Sequence, residues 1–230
     1  MSTTSIEILV RRLEERFEEP LPGFDGQRRL APRPRDGWQP GVIPADCRKG
    51  AGLLLLYPAG EAETVHTVLT VRDPSLPQHA GQVALAGGAV EAGESPIEAA
   101  LREAQEEIGV DPGAVRILGP LTPLHIPVSG FVLYPIVGVA DRRPNLCPEL
   151  GEVAKIVEVS LDELCDPSRL GVERQVHGSR AYEVPYLLVG GEKVWGATAM
   201  VLSEFLCLLG SAPSPFDGLE TREAPDPSTV

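Results

Sequence analysis

Several features that define other protein classes are scarce in this sequence. Only 5% of its 230 residues are aromatic, four are cysteines, and 33 acidic residues outnumber 20 basic ones, for a net charge of −13. This acidic balance argues against nucleic acid and anionic membrane surfaces as partners, because both are bound through lysine and arginine. It permits a phosphorylated small molecule, since a few arginines or a bound cation reverse the field locally.

Long apolar runs and paired cysteine motifs are also missing. No stretch approaches the roughly 20 apolar residues that cross a bilayer, and residues 1–12 lack the apolar segment of a signal peptide. Cys47, Cys147, Cys165 and Cys207 are widely separated, so we interpret them as reduced, buried side chains, with a disulfide or a reactive thiol as alternatives. We therefore expect a cytoplasmic protein.

Turn-forming residues are abundant, with 24 glycines and 23 prolines, and they divide the chain. We expect residues 1–45 to form an amphipathic helix over 5–17 followed by a Pro/Gly-rich arm. Residues 46–210 form the main domain, and residues 211–230 form a disordered tail with little to bury. The oligomeric state is left open, with a homodimer as one alternative.

Apolar and β-branched runs within the main domain predict a mixed sheet with helices between its strands. The predicted strands cover 51–57, 64–72, 83–85, 114–118, 132–139, 154–159, 182–189 and 193–195. Further helices are predicted over 161–165 and 198–209.

The most informative segment is residues 87–110, GGAVEAGESPIEAALREAQEEIGV. Ser95, Pro96 and Glu98 have the pattern of a helix start with a capping box, and Gly109 supplies the stop. Spacing of 3.6 residues per turn predicts one apolar and one acidic face for this helix. The apolar stripe consists of Ile97, Leu101, Ala104 and Ile108, and the acidic face of Glu103, Glu106 and Glu107.

The acidic face is unfavourable as an isolated arrangement. Two carboxylates about 5 Å apart repel by roughly 3 kcal/mol at an effective dielectric of about 20. The cluster must therefore be solvated, partly protonated, or neutralised by a cation, and a hard ion such as Mg²⁺ or Mn²⁺ suits carboxylate ligands. A solvated helix face is the alternative that the spacing alone leaves open.

The complete pattern is more specific than the spacing. Its fixed positions satisfy GX5EX7REUXEEXGU, and they are Gly88, Glu94, Arg102, Glu103, Glu106, Glu107 and Gly109, with Ala104 and Val110 at the apolar positions. This segment resembles the Nudix hydrolase box.

The resemblance implies an α/β/α sandwich with a mixed β-sheet between helices, and a divalent-metal-dependent hydrolase of a diphosphate. It implies that Glu103 and Glu107 are the principal metal ligands and that Glu106 is a further ligand or the residue that deprotonates water. The Gly87 carbonyl is an additional candidate ligand. Arg102 orients Glu94 and the acidic cluster.

Residues 69–88, LTVRDPSLPQHAGQVALAGG, resemble the segment that precedes the box in the coenzyme A diphosphatase branch of the family, roughly LLTxRSxxLRxHxGQVSFPGG. Downstream segments around 152–164 and 194–206 are also similar to that branch. Two departures are Pro77, where the branch has arginine, and Leu85 with Ala86, where it has Phe and Pro. The absence of that arginine removes a guanidinium that could donate two parallel hydrogen bonds to a phosphate.

Within this resemblance, Arg72, His79 and Gln82 are candidates for binding phosphate or orienting the loop. A salt bridge for Arg72 and loop hydrogen bonds for the other two are the structural alternatives. Glu152 lies where many Nudix proteins keep an extra acid that binds metal or acts as a base, and plain solvation is its alternative.

We therefore expect a Mg²⁺- or Mn²⁺-dependent enzyme that cleaves coenzyme A or an acyl derivative to 3′,5′-ADP and 4′-phosphopantetheine. One alternative keeps this chemistry and changes the nucleoside diphosphate derivative to ADP-ribose or a dinucleotide. Another is a sensor that binds a nucleotide without cutting it, although its expected mark, a damaged acidic cluster, is not found here.

Overall fold

A computed structural model describes residues 5–60, 62–76, 80–211 and 214–216. Its α-helices are α1 (Ser5–Phe17), α2 (Gly23–Gln27), α3 (Pro96–Ile108), α4 (Leu161–Cys165) and α5 (Gly196–Leu208). Its first strands are β1 (Arg48–Ala59), β2 (Thr64–Arg72), β3 (Val83–Ala84), β4 (Ala86–Ala89), β5 (Arg116–Pro120) and β6 (Leu124–Ile126). The remaining strands are β7 (Phe131–Val139), β8 (Val153–Ser160), β9 (Leu170–His177), β10 (Arg180–Val189) and β11 (Glu192–Trp195).

The long strand β1 organises the larger, mixed sheet. It runs parallel to β7 over most of its length, its first half pairs antiparallel with β4, and its last residues pair antiparallel with β2. Strands β3 and β8 extend the sheet beyond β2, and β5 and β6 pair with β7. Strands β9, β10 and β11 form a separate antiparallel sheet.

Alternate side chains of β1 point to opposite faces and build two apolar clusters. Leu53, Leu55 and Tyr57 pack in the cluster under α3, whereas Leu54 and Leu56 pack in the cluster that holds α1 and α5. A strand buried on both faces needs a near-continuous apolar sequence, and the run LLLLY provides it. The result is the expected α/β/α arrangement, with a mixed sheet between helices.

Most sequence-predicted elements are confirmed to within a few residues, including α1, β2 and α4. Four of the helices and strands were not predicted: α2, β4, β6 and β9. Helix α2 contains two glycines, which are poor helix formers, and β9 carries charged residues that mask its alternation. Both are stabilised by neighbours distant in sequence, since α2 packs on α5 and β9 pairs with β10.

The predicted apolar stripe of α3 is partly wrong. Ile97 is exposed, whereas Ala99 and Ala100 are fully buried together with Ala104 and Ile108. Alanine side chains are short, so they let α3 lie close to β1 and β4 and rotate the buried face away from Ile97.

The cysteine interpretation is corrected in one respect. All four are free thiols, as expected, but Cys147 is exposed and the other three are half-buried. Cys147 lies in a surface loop, where its backbone N–H donates to the Ile108 carbonyl. Within the described residues, no α-helix has the length and apolar character needed to cross a bilayer. Most of the predicted tail lies outside the described residues.

A buried carboxylate joins the N-terminal arm to α5. Glu204 is fully buried and accepts hydrogen bonds from Gln27 Nε2 at 2.9 Å and from the Thr122 N–H at 3.1 Å. Burial raises the pKa of Glu204, and the two hydrogen bonds oppose that effect only in part. The folded state therefore favours the neutral acid.

This burial makes stability depend on pH. The pKa of Glu204 in the folded state lies above its ordinary value of 4.5. The contribution of Glu204 to the free energy of unfolding is therefore complete below pH 4.5, and it is lost as the pH rises through the folded-state pKa. Glu204→Gln removes this titratable group, so only the wild type loses stability as the pH rises. The melting temperature of the variant minus that of the wild type should therefore increase from pH 4 to pH 8. Thermal melts across this range, with the exposed Glu15→Gln as control, test it. A difference that does not change with pH would contradict it.

Candidate active site

Helix α3 begins and ends as its sequence predicts. The Ser95 side chain accepts from the Glu98 N–H, and the Glu98 side chain accepts from the Ser95 N–H, which completes the capping box. Gly109 closes the helix in the left-handed conformation at φ 73°. These signals fix the position of the three acidic residues along the helix.

The glycines of β4 let α3 approach the sheet closely. A Cβ atom on Gly87 would lie 2.2 Å from the Ala51 carbonyl oxygen, and one on Gly88 would lie 2.4 Å from the carboxyl carbon of Glu103. Any side chain at these positions would separate the strand from β1 or displace the acid. Glu103 therefore lies directly against the backbone of β4.

Glu107 was predicted on the outward, acidic face of α3, but it is only 3% exposed. Its Oε2 accepts from the Gly87 N–H at 3.0 Å, and its Oε1 lies 3.7 Å from an Arg72 guanidinium nitrogen. Burial raises the pKa of Glu107 to about 7, assisted by the charges of Glu103 and Glu152 and opposed by the two contacts. A carboxylate here is costly near neutral pH unless more positive charge is supplied.

Arg102 holds the exposed side of the cluster. Its Nε and one terminal nitrogen donate to the two carboxylate oxygens of Glu94 at 2.9 and 3.1 Å. Its other terminal nitrogen donates to Glu103 and Glu106, both at 2.9 Å. Arg102 also donates to the Ala89 carbonyl, and this hydrogen bond connects α3 to the end of β4. A fork of donors used in this way fixes the geometry of three acids.

Glu152 is brought to the cluster from the loop before β8. Its carbonyl accepts from the Asp73 N–H at 2.9 Å, which anchors that loop beside the end of β2. Burial raises the pKa of Glu103, and the charges of Glu106 and Glu152 raise it further against the effect of Arg102. The loop acid that the sequence singled out thus acts electrostatically on both Glu103 and Glu107.

The cluster fits a divalent cation by its chemistry. Within the described residues, no three His, Cys, Asp or Glu side chains are arranged to hold a metal as they stand, because Glu103 and Glu106 bind Arg102 and Glu107 binds Gly87. The donors are all carboxylates, and their repulsion remains only partly neutralised. A hard dication would relieve that repulsion.

A cavity of about 720 Å³ opens beside this cluster. Gly87, Gly88, Arg72 and Gln82 line one part of it. Arg72 lines the cavity, and its buried Nε has no hydrogen-bond partner among the described residues. His79, the third predicted phosphate-binding residue, lies outside the described residues, as does Pro77.

Other walls of the cavity were not predicted from the sequence. They come from the N-terminal arm, strand β10, the end of β11 and the start of α5, and include Arg35, Tyr182, Trp195 and Thr198. No local motif marks these residues, because they meet only through long-range packing. The arm, which the sequence left without a role, thus forms part of the site.

Comparisons with known proteins agree with this geometry. Residues 48–178 match the family model described as NUDIX domain. The chain is 39% identical over 150 residues to the Uncharacterized Nudix hydrolase NudL of Pectobacterium atrosepticum, covering 64% of this chain and 76% of that protein. It is 36% identical over 163 residues to the protein of the same name in Enterobacter sp. strain 638, covering 69% and 83%.

The fold has a counterpart among solved structures. A Nudix hydrolase from M. smegmatis, RenU, superposes with a TM-score of 0.50 at 19% identity, covering 78% of this chain and 98% of that one. Nudix enzymes generally use divalent metal ions and act on small nucleoside diphosphate derivatives. The chain belongs to the Nudix hydrolase family, whose members hydrolyse phosphoanhydride bonds.

Proposed function

We propose that the protein is a Mg²⁺- or Mn²⁺-dependent diphosphatase that cleaves coenzyme A or an acyl derivative to 3′,5′-ADP and a 4′-phosphopantetheine product. The observation that supports this proposal is the placement of the described residues of the segment 69–88, which is similar to the coenzyme A branch. Arg72, Gln82 and Leu85 from this segment line the 720 Å³ cavity beside Gly87 and Gly88. A cavity of this volume suits a substrate with a large organic part.

In this proposal Glu103, Glu106 and Glu107 hold the metal, with the Gly87 carbonyl as a further ligand. When bound, the ion would supply Lewis acidity, which lowers the pKa of water and neutralises phosphoryl charge. Glu107 has the arrangement of a ligand that needs such a partner, since it is buried and, among the described residues, its counter-groups are Gly87 and Arg72.

Arg102 acts as a positioning residue in the proposed mechanism. It contacts Glu94, Glu103 and Glu106 at once, and it is held by the Ala89 carbonyl. Such a fixed cation maintains the orientation of the acids before and after a substrate enters. The guanidinium of Arg102 uses its donors for hydrogen bonds within the protein, so few donors remain for a substrate.

Arg72, His79 and Gln82 are proposed to hold the diphosphate. The unpartnered Nε of Arg72 supplies a donor at the end of β2, next to the glycines of β4. Arginine is suited to phosphate because its planar fork donates two parallel hydrogen bonds. Glu152 is proposed as a further metal ligand or as the base that takes the proton of the attacking water. Water then displaces one phosphate of the anhydride from the other.

The second departure from the branch pattern, Leu85 with Ala86, lies at and next to the cavity wall. Leu85 lines the cavity against Gly52, and Ala86 is buried in the ladder opposite Leu53. Both keep this part apolar, so they alter its shape rather than its charge. A homodimer and a cytoplasmic location stay predictions from the sequence.

Product analysis by mass gives the direct test of substrate. With Mg²⁺ or Mn²⁺, the enzyme should convert coenzyme A and acetyl-coenzyme A to 3′,5′-ADP and the matching phosphopantetheine, because water attacks the diphosphate. ADP-ribose and diadenosine tetraphosphate serve as comparison substrates. Faster turnover of either, with no cleavage of any coenzyme A form, would contradict the proposal. Binding without cleavage of all four would favour the sensor.

Glu107→Gln tests the proposed ligand that the structure buries most deeply. The exchange preserves shape and an acceptor for the Gly87 N–H, but it removes the charge that a metal needs. We expect kcat to fall by at least ~10²-fold. The melting temperature should be unchanged or higher, because a costly buried acid is gone. Steady-state kinetics and thermal melts measure this, with exposed Glu18→Gln as control. Unchanged kcat would exclude Glu107 from the mechanism.

Gly88→Ala tests the close approach of α3 to β4. The new methyl group would occupy the position of the Glu103 carboxylate, so the acid must turn away. We expect a loss of kcat/KM of at least about tenfold and a higher metal concentration for half-maximal rate. Gly113→Ala is the matched control, since its Cβ would have its nearest neighbour at 3.3 Å, a side-chain oxygen of Asp111. Equal activity of both variants would contradict this reading.

A further inference from the structure

The arm segment 32–36 forms a fixed wall of the cavity. Arg33 pairs with Glu183 of β10 through two backbone hydrogen bonds of 2.9 and 2.8 Å. Asp36 accepts from Arg180 at 2.6 Å and from the Tyr182 hydroxyl at 3.0 Å. Arg35 lies between these two attachments, so its backbone is held in place, and it lines both this cavity and a second one that includes Trp38.

Arg35 is a partly buried cation that has no anionic partner in the described part of the chain. Its Nε is buried with no hydrogen-bond partner, and within the described residues its recorded contact is the Trp38 ring, 5.3 Å from the guanidinium carbon. Burial lowers the pKa of Arg35 to about 10. A desolvated guanidinium without a counter-charge costs free energy in the empty protein, and a bound anion would recover it.

The other charged residues that line the cavity do not satisfy Arg35. Asp36 is engaged by Arg180 and Tyr182, and Arg72 is a second cation, located beside Glu107. The rest of the lining is largely apolar and includes Val83, Leu85, Phe131 and Leu133. The lining therefore combines two cations with an apolar surface.

We propose that Arg35 binds a phosphate monoester carried by the nucleoside half of the substrate, distinct from the scissile diphosphate. This inference rests on the proposed function, in which the diphosphate lies at Gly87, Gly88 and Arg72. Coenzyme A carries such a group as its ribose 3′-phosphate, whereas ADP-ribose carries none. Arg35 is then the residue that selects between these substrates.

Arg35 lies outside residues 48–178, which match the family model. Its role is therefore assigned from its own contacts in this chain. A guanidinium recognises a phosphate monoester by two parallel hydrogen bonds and by charge. Lysine at this position would keep the positive charge but would lose the pair of parallel hydrogen bonds.

Kinetics on paired substrates test the assignment. The wild type should cleave coenzyme A with a kcat/KM at least about tenfold above that for 3′-dephospho-coenzyme A. Arg35→Met should abolish this preference mainly through a higher KM for coenzyme A, and Arg35→Lys should restore part of it. Arg11→Met, on the exposed face of α1, is the control and should keep the preference. A preference that survives in Arg35→Met would overturn the assignment.

A binding measurement separates this assignment from the substrate proposal. Calorimetry with Mg²⁺ compares 3′,5′-ADP with 5′-AMP, which differ only by the 3′-phosphate. Wild type should bind 3′,5′-ADP at least about tenfold more tightly, and Arg35→Met should bind both alike. This result would support Arg35 even if no coenzyme A were cleaved. Equal binding of both nucleotides by the wild type would refute it, whatever the turnover.

Discussion

The close approach of α3 to β4 is the constraint on which the site depends. Gly87 and Gly88 carry no Cβ, and the buried alanines of α3 are equally small, so helix and strand meet nearly backbone to backbone. This contact places Glu103 against Gly88 and directs Glu107 to the Gly87 N–H. A larger residue at Gly88 would displace Glu103, whereas one at Gly87 would separate β4 from β1.

The same contact creates an electrostatic imbalance. Arg102 neutralises the acids on the outer side of α3, whereas the partners of Glu107 in the described part of the chain are the Gly87 N–H and Arg72 at 3.7 Å. Glu152 adds a further negative charge from another loop. Stability is therefore sacrificed at this place in the empty protein, which is common where a structure is prepared for a charged ligand.

Local signals explain what the sequence could predict. Helix α3 and the family could be predicted from the caps at Ser95 and Gly109 and from the spacing of the acids. Such signals depend on residues that are close together in the sequence. Rotation of the helix depends on its contacts with β1 and β4, and so the exposure of Ile97 and the burial of Glu107 were not foreseen. The arm was unreadable for the same reason, since Arg33 and Asp36 are held by residues of β10 far along the chain.

The bridge between Arg33 and Glu183 joins two segments that flank the hydrolytic elements in sequence. The acids on α3 and the glycines on β4 belong to one continuous stretch, whereas the selecting wall is assembled from the chain's two outer portions. In the proposed function, these outer segments contact the nucleoside half of the substrate and the central stretch carries out hydrolysis. A substitution in the arm or in β10 would then change the choice of substrate before it changed the rate of bond cleavage.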